Sequence, residues 1–285
     1  MKVRVDVALM HPRLFTSLIL LDPAMMEKLI EFRGKPDFRP VQYSIFRRSA
    51  WPSREAAVAE FTRFPFYKKW DPRAMDAWCK HAIREAPTRS NEPSSSTSSA
   101  VVLTTPPSQE TFTYLRPNFD GYGIDGKPVN HQTHPDLDPN WPHIFPFYRP
   151  EVYAAIETLP KLRPPVLYLF PDQSDISSQE QNEKKLAVTG IAVGGSGGVQ
   201  AGRVKAVSLK GMGHLFPFEA VKQTAGILAE RLDQDLATWR KEEQEFRRMW
   251  DQKSKAEKQT VDERWKKMAG GPPGNPLKKK KSSKI

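Results

Sequence analysis

Val166-Leu-Tyr-Leu-Phe-Pro-Asp-Gln-Ser-Asp175 and, further along, Val207-Ser-Leu-Lys-Gly-Met-Gly-His-Leu-Phe-Pro-Phe-Glu219 decide how the chain is read. The run from Pro165 to Phe170 is short, apolar and uninterrupted, which predicts a strand buried on both faces, as in a parallel sheet. It stops in an acidic turn, Pro171 to Asp175. Val204 to Leu209 predicts a second short strand that runs into Gly211-Met-Gly-His214. A long helix is expected to begin near Glu219. Its Leu228, Leu232, Leu236, Trp239, Phe246 and Trp250 recur at intervals of three, four and seven, an apolar stripe at helical spacing. The far end, Lys253 to Met268, is mostly charged and predicts a solvent-facing segment.

Working back from these strands, Tyr153 to Leu159 reads as a short amphipathic helix. Leu14 to Leu21 closes in Asp22-Pro23 and reads as another doubly buried strand. The residues before it, Val7 to Leu9 with His11-Pro12, read as the end of a helix and its proline stop. Between the first strand and the others lies a long excursion. Ser53 is positioned to cap a helix running through Phe61, and Pro72 to Glu85 predicts a second. Thr88 to Ser99, rich in Ser, Asn and Pro, predicts a mobile loop. Residues 110–150 are dense in Pro, Gly and aromatics and predict an irregular covering segment. The order predicts an α/β fold, mostly parallel sheet, with a helical and irregular lid insertion and a long C-terminal helix. The expected division is core at 1–24, lid at 25–150 with a flexible loop near 87–109, core again at 151–240, and a charged helix and basic tail at 241–285.

Composition narrows the function. With 38% hydrophobic and 27% charged residues in 285, a packed core is affordable but diluted by polar segments. The net charge of +11 would suit nucleic acid, yet Lys278, Lys279, Lys280, Lys281 and Lys284 sit in a tail behind the breaker Gly270 to Gly274. No nucleic-acid-binding pattern accompanies them, so nucleic acid is not expected as a primary partner. No apolar run is long enough to span a bilayer, and Met1 to Val7 lacks the apolar stretch of a signal peptide. The single cysteine, Cys79, has no partner for a disulfide, which fits a reducing compartment.

Three blocks in fixed order carry a family resemblance. Ala8 to Pro23 resembles the segment after the nucleophile elbow of α/β-hydrolases. Val166 to Asp175 resembles their penultimate core strand with its acid turn, and Val207 to Glu219 resembles their last strand and histidine loop. Trp78-Cys-Lys-His-Ala-Ile-Arg-Glu85 and Phe112 to Phe119 are similar to lid phrases of a fungal branch that includes toxin-biosynthesis and peroxisomal hydrolases. The likeness extends over most of residues 8–240. It implies an ancestral esterase- or lipase-like serine hydrolase using a Ser-Asp-His triad, with His214 as the general base. The acid it implies is Asp175, with Asp172 a rival because Pro171 replaces the usual glycine of the turn. Asp22 is a third candidate, since some relatives use that position. The family order is Ser, acid, His, with the serine on a Gly-x-Ser-x-Gly turn between strand and helix. Only Met1 to Val7 precede Ala8, so the expectation is an incomplete hydrolase without its elbow and inactive as this chain. The alternative is an inert binding protein built on that remnant. Gly194-Gly-Ser-Gly-Gly198 matches the elbow's letters, but it follows the acid and leads directly into a strand, so it reads as a loop.

Other clusters predict less. His131, His134, Asp136, Asp138 and His143 crowd a Pro-rich stretch without helical pairing, which reads as lid loop rather than metal site; no cofactor is expected. Trp51, Phe64, Phe66, Tyr67 and Trp70 predict lid packing or the lining of a pocket for a small apolar ester-like substrate. Ser283, Lys284 and Ile285 resemble the peroxisomal address Ser-Lys-Leu. The import receptor is therefore an expected partner and the peroxisome the expected location, with cytoplasm second.

Overall fold

The computed structural model describes residues 2–26, 31–32, 35–36, 38–87, 100–119, 130–138, 146–259 and 261–270. The loop expected at Thr88 to Ser99, His143, the lysine tail and the last three residues lie outside the described residues. The chain divides into two compact units, Met1–Asp233 and Gln234–Ile285.

The first unit is organised by a three-stranded parallel sheet in the order β1 (Leu18–Leu21), β2 (Val166–Pro171), β3 (Val204–Leu209). Leu18 pairs with Val166 and Leu21 with Leu169 on one side of β2. Val204 pairs with Val166 and Leu209 with Pro171 on the other. All six residues of β2 are buried, because the period-two alternation sends them to two different cores. Val166, Tyr168 and Phe170 join Leu18 and Leu20 on one face, packed with Val5 and Ala8 of α1 (Lys2–Met10) and Ala155 and Ile156 of α2 (Pro150–Thr158). Leu167 and Leu169 join Leu209 and Phe216 on the other face. Each such side chain contributes about 1.5–3 kcal/mol when fully buried, so the middle strand anchors both layers. Helix α1 ends at Met10, and Pro12 to Leu14 form a single 3-10 turn. The first strand is therefore shorter than the apolar run suggested.

The lid differs from its expectation. Pro72–His81 is helical, but Ile83–Glu85 leaves the helix and pairs antiparallel with Val101–Leu103, which also pairs with Ala50–Trp51. Strands of two or three residues carry too little periodicity to be seen in sequence. Ser53 does cap the helix Arg54–Arg63, accepting from the Ala56 amide at 3.2 Å. Within the segment expected to be irregular, Pro107–Tyr114 is a helix and Arg116–Pro117 pairs with Phe147–Tyr148.

Two further helices follow: α3 (Gln179–Val188), which faces the end of the first strand through Lys185, and α4 (Val221–Asp251). Helix α3 opens with a capping box, in which Ser178 and Gln181 satisfy each other's backbone amides. Helix α4 runs on into the second unit, where the short helices Lys255–Gln259 and Glu263–Met268 follow. Of its apolar stripe in that unit, Leu236, Trp239, Phe246 and Trp250 are exposed. No helix among the described residues is long and apolar enough to cross a membrane.

Candidate active site

The three parallel strands end at one edge, and the turns beyond them converge there, the position where open α/β sheets hold their reactive groups. Beyond β3 the chain turns at Gly211, whose φ of 72° suits glycine. It then crosses the end of β2. Two contacts pin it during the crossing: Gly211 N–H donates to Asp172 Oδ1 at 2.7 Å, and Gln173 N–H donates to the Met212 carbonyl at 3.0 Å. The crossing carries His214 past the middle strand to the end of β1. There Nδ1 lies 2.8 Å from Asp22 Oδ2.

Asp22 is held unusually firmly. It follows β1 directly, its amide donating to the Leu169 carbonyl at 2.9 Å, and its side chain is fully buried at 0% exposure. It is the one non-glycine with positive φ among the described residues, at 39°. Besides the imidazole, Ser174 Oγ donates to Oδ2 at 2.6 Å and Ser177 Oγ donates to Oδ1 at 2.5 Å. Ser174 is oriented in turn, since its Oγ accepts from the amides of Ile176 and Ser177 at 3.1 and 3.2 Å. Burial would push the Asp22 carboxyl up; the hydrogen bonds from His214, Ser174 and Ser177 outweigh it and hold the group below the usual carboxylate value.

A carboxylate only accepts, so the shared proton belongs to His214 Nδ1. That leaves Nε2 with the lone pair of a general base. The histidine side chain is 38% exposed, and Nε2 has no hydrogen-bond partner among the described residues. An imidazole fixed at one nitrogen by a buried carboxylate and open at the other can take a proton from a nucleophile and return it to a leaving group.

The sequence candidates are thus separated. His214 and Asp22 meet. Asp175, the acid favoured by the sequence reading, is exposed and makes no hydrogen bond among the described residues. Asp172 is spent on capping the histidine loop. The contribution of Ser174 and Ser177 was not foreseen; their only trace in sequence is two hydroxyls three residues apart, one inside the acidic turn and one just after it. Ser196 lies at the other edge of the sheet. Its amide donates to the Leu162 carbonyl at 3.0 Å, just before β2 begins. Six strand residues at about 3.3 Å each put roughly 20 Å between that loop and the site. The loop's glycines have a packing cause, for a Cβ on Gly195 would lie 2.4 Å from the Gly190 carbonyl oxygen.

In the lid stretch, Asp136 pairs with Arg116 and accepts from Tyr148 Oη at 3.1 Å. His134 Nδ1 lies 2.9 Å from Thr133 Oγ1. No group of three His, Cys, Asp or Glu that could hold a metal gathers among the described residues. The aromatic cluster packs the lid. Trp51 meets Phe61, Tyr67 meets Trp70, and Trp70 meets Trp78, with centroids 5.2, 5.0 and 5.5 Å apart. Trp70 also stacks on Phe218 at 4.7 Å, and the Asp71 amide donates to the Phe218 carbonyl at 2.8 Å. These two contacts dock the lid on the turn that follows the histidine loop.

The sheet, the histidine loop and the order of the blocks define an α/β-hydrolase, and comparison with known proteins agrees: the chain belongs to the α/β-hydrolase superfamily. It is 35% identical over 279 residues to the type I acyl-CoA thioesterase mpaH of Penicillium brevicompactum, an alignment covering 92% of this chain and 62% of that protein. It is 27% identical over 229 residues to the abhydrolase domain-containing protein ACTT2-1 of Alternaria alternata, covering 78% of this chain and 76% of that one. The chain spans 58–66% of the length of three thioesterase relatives. Among solved structures, the peroxisomal α/β-hydrolase Lpx1 of Saccharomyces cerevisiae superposes with a TM-score of 0.53 at 12% identity, over 92% of this chain and 61% of that one. That likeness speaks to the fold. No family model matches the chain.

Proposed function

We propose that this chain carries the acid–base half of a Ser-Asp-His acyl hydrolase, with His214 as the general base and Asp22 as its orienting acid. The observation behind the reading is the 2.8 Å contact from Nδ1 to a fully buried carboxylate. Nε2 takes the serine proton as the hydroxyl attacks a thioester or ester carbonyl. The imidazolium so formed is stabilised by Asp22 and protonates the leaving thiol or alcohol. A water then releases the acyl group by the same proton relay in reverse. The relatives' name, acyl-CoA thioesterase, favours a thioester. The fold's chain order places the serine ahead of Ala8, so the reading requires a Gly-x-Ser-x-Gly segment there.

The test is a fluorophosphonate probe and an acyl-CoA hydrolysis assay on the protein made from the full reading frame. We expect one serine to label, and His214→Ala to reduce both labelling and kcat/KM by roughly a thousandfold or more. No labelling sinks the reading and leaves an inert binding protein, and labelling indifferent to His214 removes His214 as the general base. Delivery to the peroxisome through Ser283, Lys284 and Ile285 belongs to the same proposal. A fluorescent protein carrying the chain's last residues is expected to become punctate, and to turn diffuse when those three are removed.

A further inference from the structure

Lys185 takes no part in the proton relay, yet it is fully buried at 0% exposure. Lysine is almost never found so deep without an acidic partner, and no ion pair to it exists among the described residues. Its ammonium donates to the Pro23 carbonyl at 2.9 Å and to Asn182 Oδ1 at 3.1 Å, and it lies 5.6 Å from the centre of the Phe170 ring. A leucine or methionine would fill this space without the cost of desolvating a charge. What the charge grips is the carbonyl of Pro23, the residue that follows Asp22.

The Asp22-Pro23 turn needs holding. A residue before proline is restricted towards extended conformations, whereas Asp22 sits at a φ of 39°. A non-glycine in such a region is strained by about 1–3 kcal/mol and persists only where its surroundings over-determine it. The Pro23 carbonyl receives two donors, the Lys185 ammonium and the Met25 amide, the latter at 2.8 Å. We propose that Lys185 is a positioning residue for the His214–Asp22 pair. Through the Pro23 carbonyl its ammonium fixes the turn from which the Asp22 carboxylate reaches Nδ1. The inference rests on reading His214 and Asp22 as the acid–base pair.

Few groups face Lys185. The end of β1 contributes the Asp22 carboxylate and the Pro23 carbonyl, and β2 contributes the Phe170 ring. Its own helix contributes Asn182. Tyr168 of β2 is taken up with Thr189, its Oη 2.8 Å from Oγ1. Burial pushes the ammonium down to about 8, against the upward pull of the Asp22 charge. A neutral amine donates a hydrogen bond about half as strong as a charged one, so the grip should loosen as pH passes that value.

The experiment follows the His214 tautomer by 15N NMR in the full chain, comparing the natural sequence with Lys185→Met and Asp22→Asn. At neutral pH the natural chain should hold the proton on Nδ1. Its Nδ1–H fraction should drop in a step centred near 8. Lys185→Met should reduce that fraction at neutral pH by roughly twofold or more and abolish the step, with a cooperative melt retained. A lysine with a merely structural role would not put such a step into the histidine signal. An unchanged tautomer in Lys185→Met, or a natural profile that stays flat through the pH at which the Lys185 amine loses its proton, overturns the proposal. Should Lys185→Met fail to fold, the titration of the natural chain decides alone. If Asp22→Asn also leaves His214 unchanged, the pair itself is wrong and the role of Lys185 falls with it. If only Asp22→Asn alters His214, the pair stands and Lys185 is dismissed.

Discussion

At the scale of single residues, three aspartates compete for one histidine, and the sheet order decides among them. Asp172 and Asp175 both follow the middle strand and look better placed by sequence. The histidine loop, however, is tied down on the end of that strand, so His214 is carried beyond it to the end of β1. Nothing in the sequence says that β1 lies beside β2 rather than beside β3. For that reason the sequence left Asp22, 192 residues from His214, as the third of three candidates, although it is the aspartate that meets the imidazole. The three acids give different predicted outcomes in the acyl hydrolysis assay. Asp22→Asn should cost roughly 10⁴-fold in turnover, because the amide can stabilise the wrong tautomer and cannot stabilise an imidazolium. Asp175→Asn should leave turnover within about twofold, as expected of an exposed surface change. Asp172→Ala removes a cap from the loop and should fall between the two. A loss in Asp175→Asn matching that of Asp22→Asn would restore the acid that sequence favours.

At the scale of elements, legibility followed burial. The middle strand of the parallel sheet could be read because a strand covered on both faces must be apolar at successive positions. The lid sheet could not, since Ala50–Trp51, Ile83–Glu85 and Val101–Leu103 are too short to show a period. The lid's attachment was also hidden: Trp70 stood out as one of an aromatic group, but its stacking partner Phe218 comes from the turn after the histidine loop. That contact bears on stability and on the site together. Trp70 is buried to 9% exposure, whereas Phe64 in the same segment is 59% exposed. Trp70→Ala is therefore expected to cost about 3–5 kcal/mol in a denaturant titration, and Phe64→Ala less than about 0.5 kcal/mol. A double-mutant cycle between Trp70 and Phe218 should return a coupling of about 0.5–1.5 kcal/mol, the range for an aromatic pair beyond its buried area. No coupling would mean that the lid is held elsewhere.

At the scale of the whole molecule, the buried site sets a pH dependence with a definite sign on each side. Asp22, held below the ordinary carboxylate value of 3.8, supports the fold above that value and withdraws its support as pH falls through the lowered one. Lys185 acts at the alkaline end. Its folded value of about 8 lies below the ordinary 10.5, so between the two the unfolded chain binds more protons and stability rises with pH. At about 1.4 kcal/mol per pH unit, that interval amounts to roughly 3 kcal/mol, a sizeable share of a domain's usual 5–15 kcal/mol. Beyond about 10 the trend reverses. Burial pushes Tyr153 up to about 12 and raises Tyr168 as well, so the unfolded chain sheds those protons first. The net charge of +11 near neutrality also shrinks as pH climbs, which relieves self-repulsion and adds to the rise. Lys185→Met separates the two contributions, since it removes the titration of one buried amine and leaves the surface charge almost intact. Denaturant midpoints taken from pH 7.5 to 10 should climb in the natural chain and flatten by roughly 3 kcal/mol in the variant. Parallel curves would show that Lys185 titrates as an ordinary solvated lysine. The charge holding the Pro23 carbonyl would then cost the fold nothing.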